Sequence, residues 1–158
     1  MMAARLDTVA KFVCEQSGWQ ISNLSLQKML YLAQVEYLGE HGGERIVETA
    51  FEAWNLGPVS PDLYHKVKIF GSGPVRDVFY DVRRFREDDK RRSKLVEICK
   101  KYLGKKPGEL VEITHWNFGA WANKYEPNVR GIQITDDDIA REYRNRQLHT
   151  TRWQKIAT

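Results

Sequence analysis

The sequence predicts a mainly α fold of the α+β class, a compact helical domain with a small β-hairpin or a few short strands. Two observations carry this prediction. A short alternating stretch runs into Gly57-Pro58 and Ser60-Pro61, a turn followed by a helix start. Apolar residues also recur with a period of 3.6 along several segments. The clearest of these stripes is formed by Leu26, Met29, Leu30, Ala33 and Tyr37.

The first two helices are delimited by glycines. The first is expected from about Ala3 to Gln16, and Ser17-Gly18 ends it because glycine readily takes the left-handed conformation of a helix stop. The second, which carries the stripe that begins at Leu26, is expected from about Ser25 to Glu40 and closes at Gly42-Gly43.

A strand and a capped helix follow. Residues 45–56 alternate loosely between apolar and polar side chains, which predicts a strand that forms one arm of a small hairpin. Gly57-Pro58 forces a turn. The hydroxyl of Ser60 is placed to cap a third helix, because Pro61 suits the first helical position. This helix is expected to reach Phe70 and to stop at the glycines of residues 71–74.

The second half of the chain predicts one more strand and three more helices. Alternation over residues 78–82 predicts the strand. A fourth helix is expected over Asp88–Leu103 and a fifth from Pro107 to about Trp116. Thr135 and Asp138 form a capping box that starts the last helix. After Arg146 the periodicity weakens, and this tail is expected to fray or to dock elsewhere.

Composition limits the class of protein. The 158 residues, 42% hydrophobic and 29% charged, suit one globular domain. No run of about 18 apolar residues predicts a membrane span, and the N-terminus lacks a signal-peptide pattern. We therefore expect a cytoplasmic protein. Cys14 and Cys99 lie on apolar stripes and are expected to be buried free thiols rather than a disulfide.

The net charge of +4 is unevenly distributed. Residues 83–106 carry 11 basic and 4 acidic side chains, and residues 139–158 carry 5 basic and 1 acidic, whereas the intervening and preceding segments are acidic. Such a basic segment can attract an acidic protein or a nucleic acid, or it can be a solvated helix face. The charge pattern alone leaves these alternatives open.

The residues of an enzyme active site are not apparent in this sequence. There is no nucleophile elbow, phosphate-binding glycine loop or zinc-binding motif, so no catalytic residue, cofactor or metal is expected. His115 ends a helix, where its imidazole can bond terminal carbonyls. The acidic run at residues 136–138 is explained by the helix cap.

The aromatic residues are the best candidates for binding a partner. Trp54 and Trp121 can be core residues or part of a binding patch, and Trp116 and Phe118 have no apolar stripe to join. Near the C-terminus, Trp153 is the best candidate for an exposed anchor. The predicted partner-binding residues are therefore Trp54, Trp116, Phe118, Trp121, Arg152 and Trp153.

Two blocks of sequence resemble the Panacea domain family, which comprises SocA-like antitoxins and GepA-type phage-associated proteins. The first block contains Leu26-Gln27-Lys28-Met29-Leu30-Tyr31, then Glu52-Ala53-Trp54, then Gly57-Pro58-Val59-Ser60-Pro61. The second block comprises residues 110–115, Trp121 and residues 134–139. Ala120 departs from the family pattern, which often has proline before this tryptophan.

The resemblance implies an antitoxin of a bacterial or phage toxin–antitoxin module that neutralises a cognate protein toxin by direct binding. Delivery of the bound toxin to a cellular protease is a variant of this function. The alternative function is a DNA-binding transcriptional regulator, supported only by the basic segments. Residues 1–146 would form the Panacea-like antitoxin domain, and residues 147–158 a basic C-terminal tail.

Overall fold

A helix through the centre of the protein organises the fold in the computed structural model, which describes the backbone of residues 2–157 and the side chains of residues 2–150. This helix, α2 (Asn23–Glu40), begins at Ser22, whose hydroxyl accepts a hydrogen bond from the backbone of Ser25. The predicted stripe is buried, and so are the side chains on the opposite face, because helices and strands pack around α2 from several directions.

The N-terminal segment packs along one side of α2. Strand β1 (Ala4–Arg5) leads into α1 (Leu6–Gln16). Gly18, with a φ of 64°, follows directly after the helix stop, as the sequence predicts. Strand β1 pairs in parallel with β2 (Val47–Glu48), which lies beyond α2 in the chain.

The predicted hairpin is present and gains a third strand, but the single strand expected over residues 45–56 is divided into β2 and β3, which belong to different sheets. Strands β3 (Phe51–Trp54) and β4 (Gly57–Val59) pair antiparallel, with Trp54 opposite Gly57. The short strand β5 (Gln133–Ile134) pairs with the other edge of β3, so the order is β4-β3-β5. Two residues give too little alternation for β5 to be predicted from sequence.

The helix after the hairpin begins as predicted. Helix α3 (Pro61–Val67) is capped by Ser60, whose hydroxyl accepts from the backbone of Leu63 at 3.2 Å. A 3-10 turn (Lys68–Phe70) extends it to the expected end. The Ser-Pro signal is therefore confirmed by the cap geometry.

The prediction of a strand over residues 78–82 is wrong. This segment is extended, but its backbone is bound by side chains of α1 instead of by a neighbouring strand. The carboxylate of Asp7 accepts from the backbone of Tyr80 and Asp81 at 2.9 and 3.0 Å, and Thr8 Oγ1 accepts from Arg83 at 2.8 Å. Burial along the segment also departs from strict alternation, since Phe79 is buried, Tyr80 and Asp81 are exposed, and Val78 and Val82 are half-buried.

Four helices complete the fold. They are α4 (Lys90–Tyr102), α5 (Pro107–Thr114), α6 (Ala120–Lys124) and α7 (Asp136–Ala157). The capping box at the start of α7 is confirmed, because the Asp138 carboxylate accepts from Thr135 N at 2.8 Å and Asp138 N donates to Thr135 Oγ1 at 3.2 Å. The backbone of α7 continues without a break past Arg146, where the sequence pattern weakens.

These elements confirm the predicted class, a helical α+β domain with small sheets. Cys14 and Cys99 are both free and buried, as expected. Burial raises the pKa of Cys14 to about 12 and that of Cys99 to about 11. Both thiols therefore stay protonated and unreactive at neutral pH.

The close approach of α2 and α7 at Gly39 gives a first prediction. A Cβ at this position would lie 2.0 Å from Cγ of Tyr143. In an ordinary helix Gly→Ala stabilises by about 0.5–1 kcal/mol, whereas here we expect Gly39→Ala to lower the free energy of unfolding by about 1–3 kcal/mol because the ring must move. Urea unfolding measures the change.

Tyr143→Ala provides the control, because it removes the ring that a new Cβ would meet. In the Tyr143→Ala background, Gly39→Ala should recover its ordinary stabilising effect, which gives a large coupling in the double-mutant cycle. Stabilisation by Gly39→Ala in the otherwise natural chain would contradict the close packing of the two helices.

Candidate partner-binding surface

Trp54 lies at the end of β3, where the hairpin turns. Its ring is half-buried and packs edge-on against Tyr64 of α3, with 4.9 Å between the ring centroids. Its indole N–H donates to Glu52 at 3.0 Å, and its carbonyl accepts from the indole of Trp121 at 2.6 Å. Two tryptophans far apart in sequence therefore meet at the hairpin turn.

A column of three aromatic rings supports this turn. The rings of His115 and Trp121 stack in parallel, with centroids 3.6 Å apart and an interplanar angle of 2°. Tyr125 in turn stacks on Trp121, with 4.6 Å between the ring centroids and an interplanar angle of 16°. The Tyr125 hydroxyl donates to the side chain of Asn55 at 3.1 Å, so the column reaches the hairpin tip.

Lys28 of the central helix α2 contacts the opposite side of the same turn. It is fully buried, and its ammonium donates to the carbonyl of Pro58 at 2.8 Å. Desolvation lowers the pKa of Lys28 to about 7. Gly57 has a φ of 117°, and a Cβ there would lie 2.9 Å from Thr114 Oγ1 and 3.0 Å from Lys28 Cε. Only glycine fits both this conformation and this space.

His115 does not take the role predicted from its place at a helix end. Its Nε2 atom is buried without a hydrogen-bond partner among the described residues, and its ring serves as one layer of the column. Burial, and then the nearby charge of Lys28, lower the pKa of His115, while the main chain of Leu56 opposes this in part. The imidazole is therefore neutral at pH 7.

A second aromatic cluster lies on α7 and the loop before α6. Trp116 contacts Phe118 edge-on at 5.4 Å, and His149 contacts both rings, at 5.1 Å from Trp116 and 4.6 Å from Phe118. The guanidinium of Arg146 lies 4.8 Å from the Trp116 ring centroid. The side chain of Asn145 donates to the carbonyl of Phe118 at 3.1 Å. We call Trp116, Phe118 and His149 the aromatic patch.

A buried carboxylate holds this patch in place. Glu142 accepts from the Tyr31 hydroxyl at 2.6 Å, from the backbone of Ala120 at 2.9 Å and from Arg146 at 2.8 Å. Arg146 also donates to the carbonyl of Ile113 at 2.9 Å. The N–H of Ala120 thus makes a bond that a proline at this position could not make.

The structure divides the predicted binding residues between two places. Trp54 and Trp121 hold the hairpin turn and are half-buried, whereas Phe118 is 54% exposed and contacts the half-buried Trp116. Trp121 lies only a few residues after Trp116 and Phe118 in the sequence, but α6 turns it towards the hairpin. The side chains of the last two predicted residues, Arg152 and Trp153, lie outside the described residues.

Sequence reasoning missed the residues that support these rings. Lys28 lies within an apolar helix and could have been found as the one charge in the buried stretch of residues 26–35. Glu142 gives no such signal, because charged neighbours surround it in the sequence. Neither Tyr125 nor His149 belongs to a recognisable pattern.

Within the described residues, no group of three or more His, Cys, Asp or Glu side chains is arranged to hold a metal ion. No helix in that part of the chain is both long and apolar enough to cross a membrane.

Comparison with known proteins gives two matches. The model of the family described as "Antitoxin SocA-like, Panacea domain" matches residues 26–122, more than half of the chain. The protein named Antitoxin SocA from Caulobacter vibrioides (strain NA1000 / CB15N) is 50% identical over 44 residues, which are 28% of this chain and 23% of that protein. The match thus spans under a quarter of the relative's length. No solved structure matches the chain.

The burial of Lys28 predicts an unusual dependence of stability on pH. Between pH 7 and 8 an unfolded lysine keeps its proton, whereas the folded Lys28 with a pKa of about 7 loses it. The unfolded state then binds more protons, so the free energy of unfolding should rise with pH, by about 1 kcal/mol over this interval. Chemical unfolding at the two pH values measures it.

Lys28→Met should abolish the rise, because methionine has a similar length and no proton to lose. Lys100→Met, which removes an exposed lysine from α4, should leave the rise unchanged. If the free energy of unfolding rose equally with pH in both variants, Lys28 would have to be charged in the folded protein at pH 8.

Proposed function

We propose that this chain, which belongs to the family of SocA-like antitoxins with a Panacea domain, neutralises a cognate protein toxin by binding it directly. Family membership is the observation that carries the proposal. The matched segment includes most of α2, the hairpin, the aromatic column as far as Trp121, and Trp116 and Phe118 of the aromatic patch. The elements that build the candidate surface are therefore largely those that the family shares.

The aromatic patch is the part of this surface best suited to contact the toxin. Phe118 is 54% exposed, and Leu148, next to His149 on α7, is 65% exposed. Exposed aromatic rings on a rigid base are typical anchors of protein interfaces, because they bury a large area and lose little conformational entropy. The base here is rigid, since Glu142 ties the patch to α2 through Tyr31.

Direct binding is also required if this chain delivers the toxin to a protease. In both cases the first step is a stable complex, and only the fate of the toxin differs. A measurement of the total amount of toxin in cells that produce this chain separates them, because simple neutralisation leaves that total unchanged, whereas delivery to a protease lowers it.

The structure gives less support to a DNA-binding regulator. Much of the positive charge in residues 83–106 is paired with acidic side chains, so fewer cations are free to neutralise phosphates. Lys101 contacts Glu36 at 3.0 Å, Arg91 contacts Asp89 at 2.7 Å, and a third residue, Lys94, is surrounded by three carboxylates. These pairs join α4 to α2 or cap α4, which are structural roles.

The proposal predicts that this chain restores growth to cells that produce the toxin encoded by the neighbouring gene, and that the two proteins co-purify. Phe118→Ala should weaken the complex about 30-fold, the effect of losing an aromatic anchor worth about 2 kcal/mol. Calorimetric titration of the purified toxin measures the dissociation constant.

Ile69→Ala is the matched control, since it removes another exposed apolar side chain, from the turn after α3. It should change the dissociation constant less than twofold. Rescue of growth without a detectable complex would refute direct neutralisation. Equal affinity of Phe118→Ala and the natural chain would exclude the aromatic patch from the interface.

A further inference from the structure

A groove lies between α1, the extended segment of residues 82–85 and the start of α4, separate from both aromatic clusters. Its volume is about 290 Å³, at the lower end of ordinary ligand pockets. The apolar lining residues are Phe12, Val82 and Phe85, and the two phenylalanine rings meet edge-on at 5.9 Å. This volume suits one or two side chains of a partner better than a whole small-molecule ligand.

The rim of this groove carries an excess of positive charge. Lys11 and Arg84 line it, each with a carboxylate partner, Asp77 at 2.9 Å and Glu15 at 3.3 Å. The third cation, Arg92, lies 5.7 Å from the Phe12 ring centroid, and within the described part of the chain no carboxylate lies within ion-pair distance of it. Arg92 is thus a cation held at the groove without a counter-ion among the residues whose side chains the structure describes.

The groove is formed before any partner binds. The carboxylate of Asp7 and the hydroxyl of Thr8, both in the first turn of α1, accept hydrogen bonds from the backbone at Tyr80, Asp81 and Arg83. Although burial alone would raise the pKa of Asp7, the backbone donors at Asp81 and Tyr80 and the ammonium of Lys66 lower it, so the carboxylate stays ionised and the contact persists at neutral pH. A preformed groove loses little entropy on binding.

We infer that this groove binds an acidic segment of the toxin, with an apolar side chain of that segment against Phe12 and Phe85 and a carboxylate on Arg92. The inference rests on the proposed function and adds the chemistry of the partner. Positive charge around an apolar floor is complementary to a segment that carries both a carboxylate and an apolar side chain.

The apolar floor favours a protein over a nucleic acid as the occupant. A phosphate backbone would pair with the cations but would leave the phenylalanine rings uncovered. A single-stranded nucleic acid could stack a base on a ring, so it is included in the test.

The test compares Arg92→Glu with Arg130→Glu, an equal change of charge on an exposed loop after α6. Arg92 lies in the first turn of α4, where glutamate is favourable for the helix, so the variant should fold. Affinity for the protein encoded by the neighbouring gene is measured at 50 and 200 mM NaCl, with a 20-base-pair DNA duplex and a 20-nucleotide RNA as further probes.

We expect Arg92→Glu to weaken the toxin complex at least tenfold at 50 mM NaCl and to reduce the dependence of its affinity on salt. The toxin affinity of Arg130→Glu should stay within twofold of that of the natural chain. Unchanged toxin affinity in Arg92→Glu would overturn the inference, as would loss of DNA or RNA binding with the toxin complex intact. If the natural chain forms no toxin complex at all, the proposed function itself fails, and that result is distinct from the others.

Discussion

Helix α2 is buried on every side over residues 25–35, and the polar side chains that it carries into the core determine where the surrounding chain must lie. Gln27 accepts from the backbone of Ser60 at 2.8 Å, and Gln34 accepts from Ile46 and Val47 at 2.9 and 3.2 Å. A buried polar group without a partner costs about 1–3 kcal/mol. Each of these side chains therefore fixes a particular segment of main chain against the helix, as Lys28 fixes Pro58 in the hairpin.

Both aromatic clusters are attached to this central helix by buried hydrogen bonds. Lys28 connects it to the hairpin turn, and from there the Trp54 carbonyl connects to Trp121. Tyr31, one turn further along, connects it through Glu142 to the aromatic patch. The two surfaces are thus parts of one rigid body. A partner that binds them meets side chains whose positions are already set, which reduces the entropic cost of association.

The parts of the fold that depend on local pattern could be predicted from the sequence. The stripe of α2 follows from its period, and the caps at Ser60 and Thr135 follow from side chains that bond their own helices. The parts that depend on distant contacts could not be predicted. The all-round burial of α2 requires several other elements around it, and the segment of residues 78–82 alternates like a strand but finds its hydrogen-bond partners on α1.

The same limit applies to the candidate surface. The sequence identified the tryptophans as candidates, but only the tertiary structure shows what each one contacts: Trp121 binds the hairpin, and Trp116 belongs to the aromatic patch. The family resemblance is confirmed by the match over residues 26–122, which covers the first block and the second block as far as Trp121. The supporting residue Glu142 lies outside that match and becomes recognisable only through its contacts.

Hydrogen–deuterium exchange of the chain, alone and with its toxin, tests most directly the claim that a rigid body around α2 presents a preformed binding surface. The amides of α2 and the hairpin should exchange only through global unfolding in both states. Toxin should slow exchange around residues 116–118 and 145–149. Rapid exchange in free α2, or protection confined to segments away from both clusters and the groove, would contradict the account.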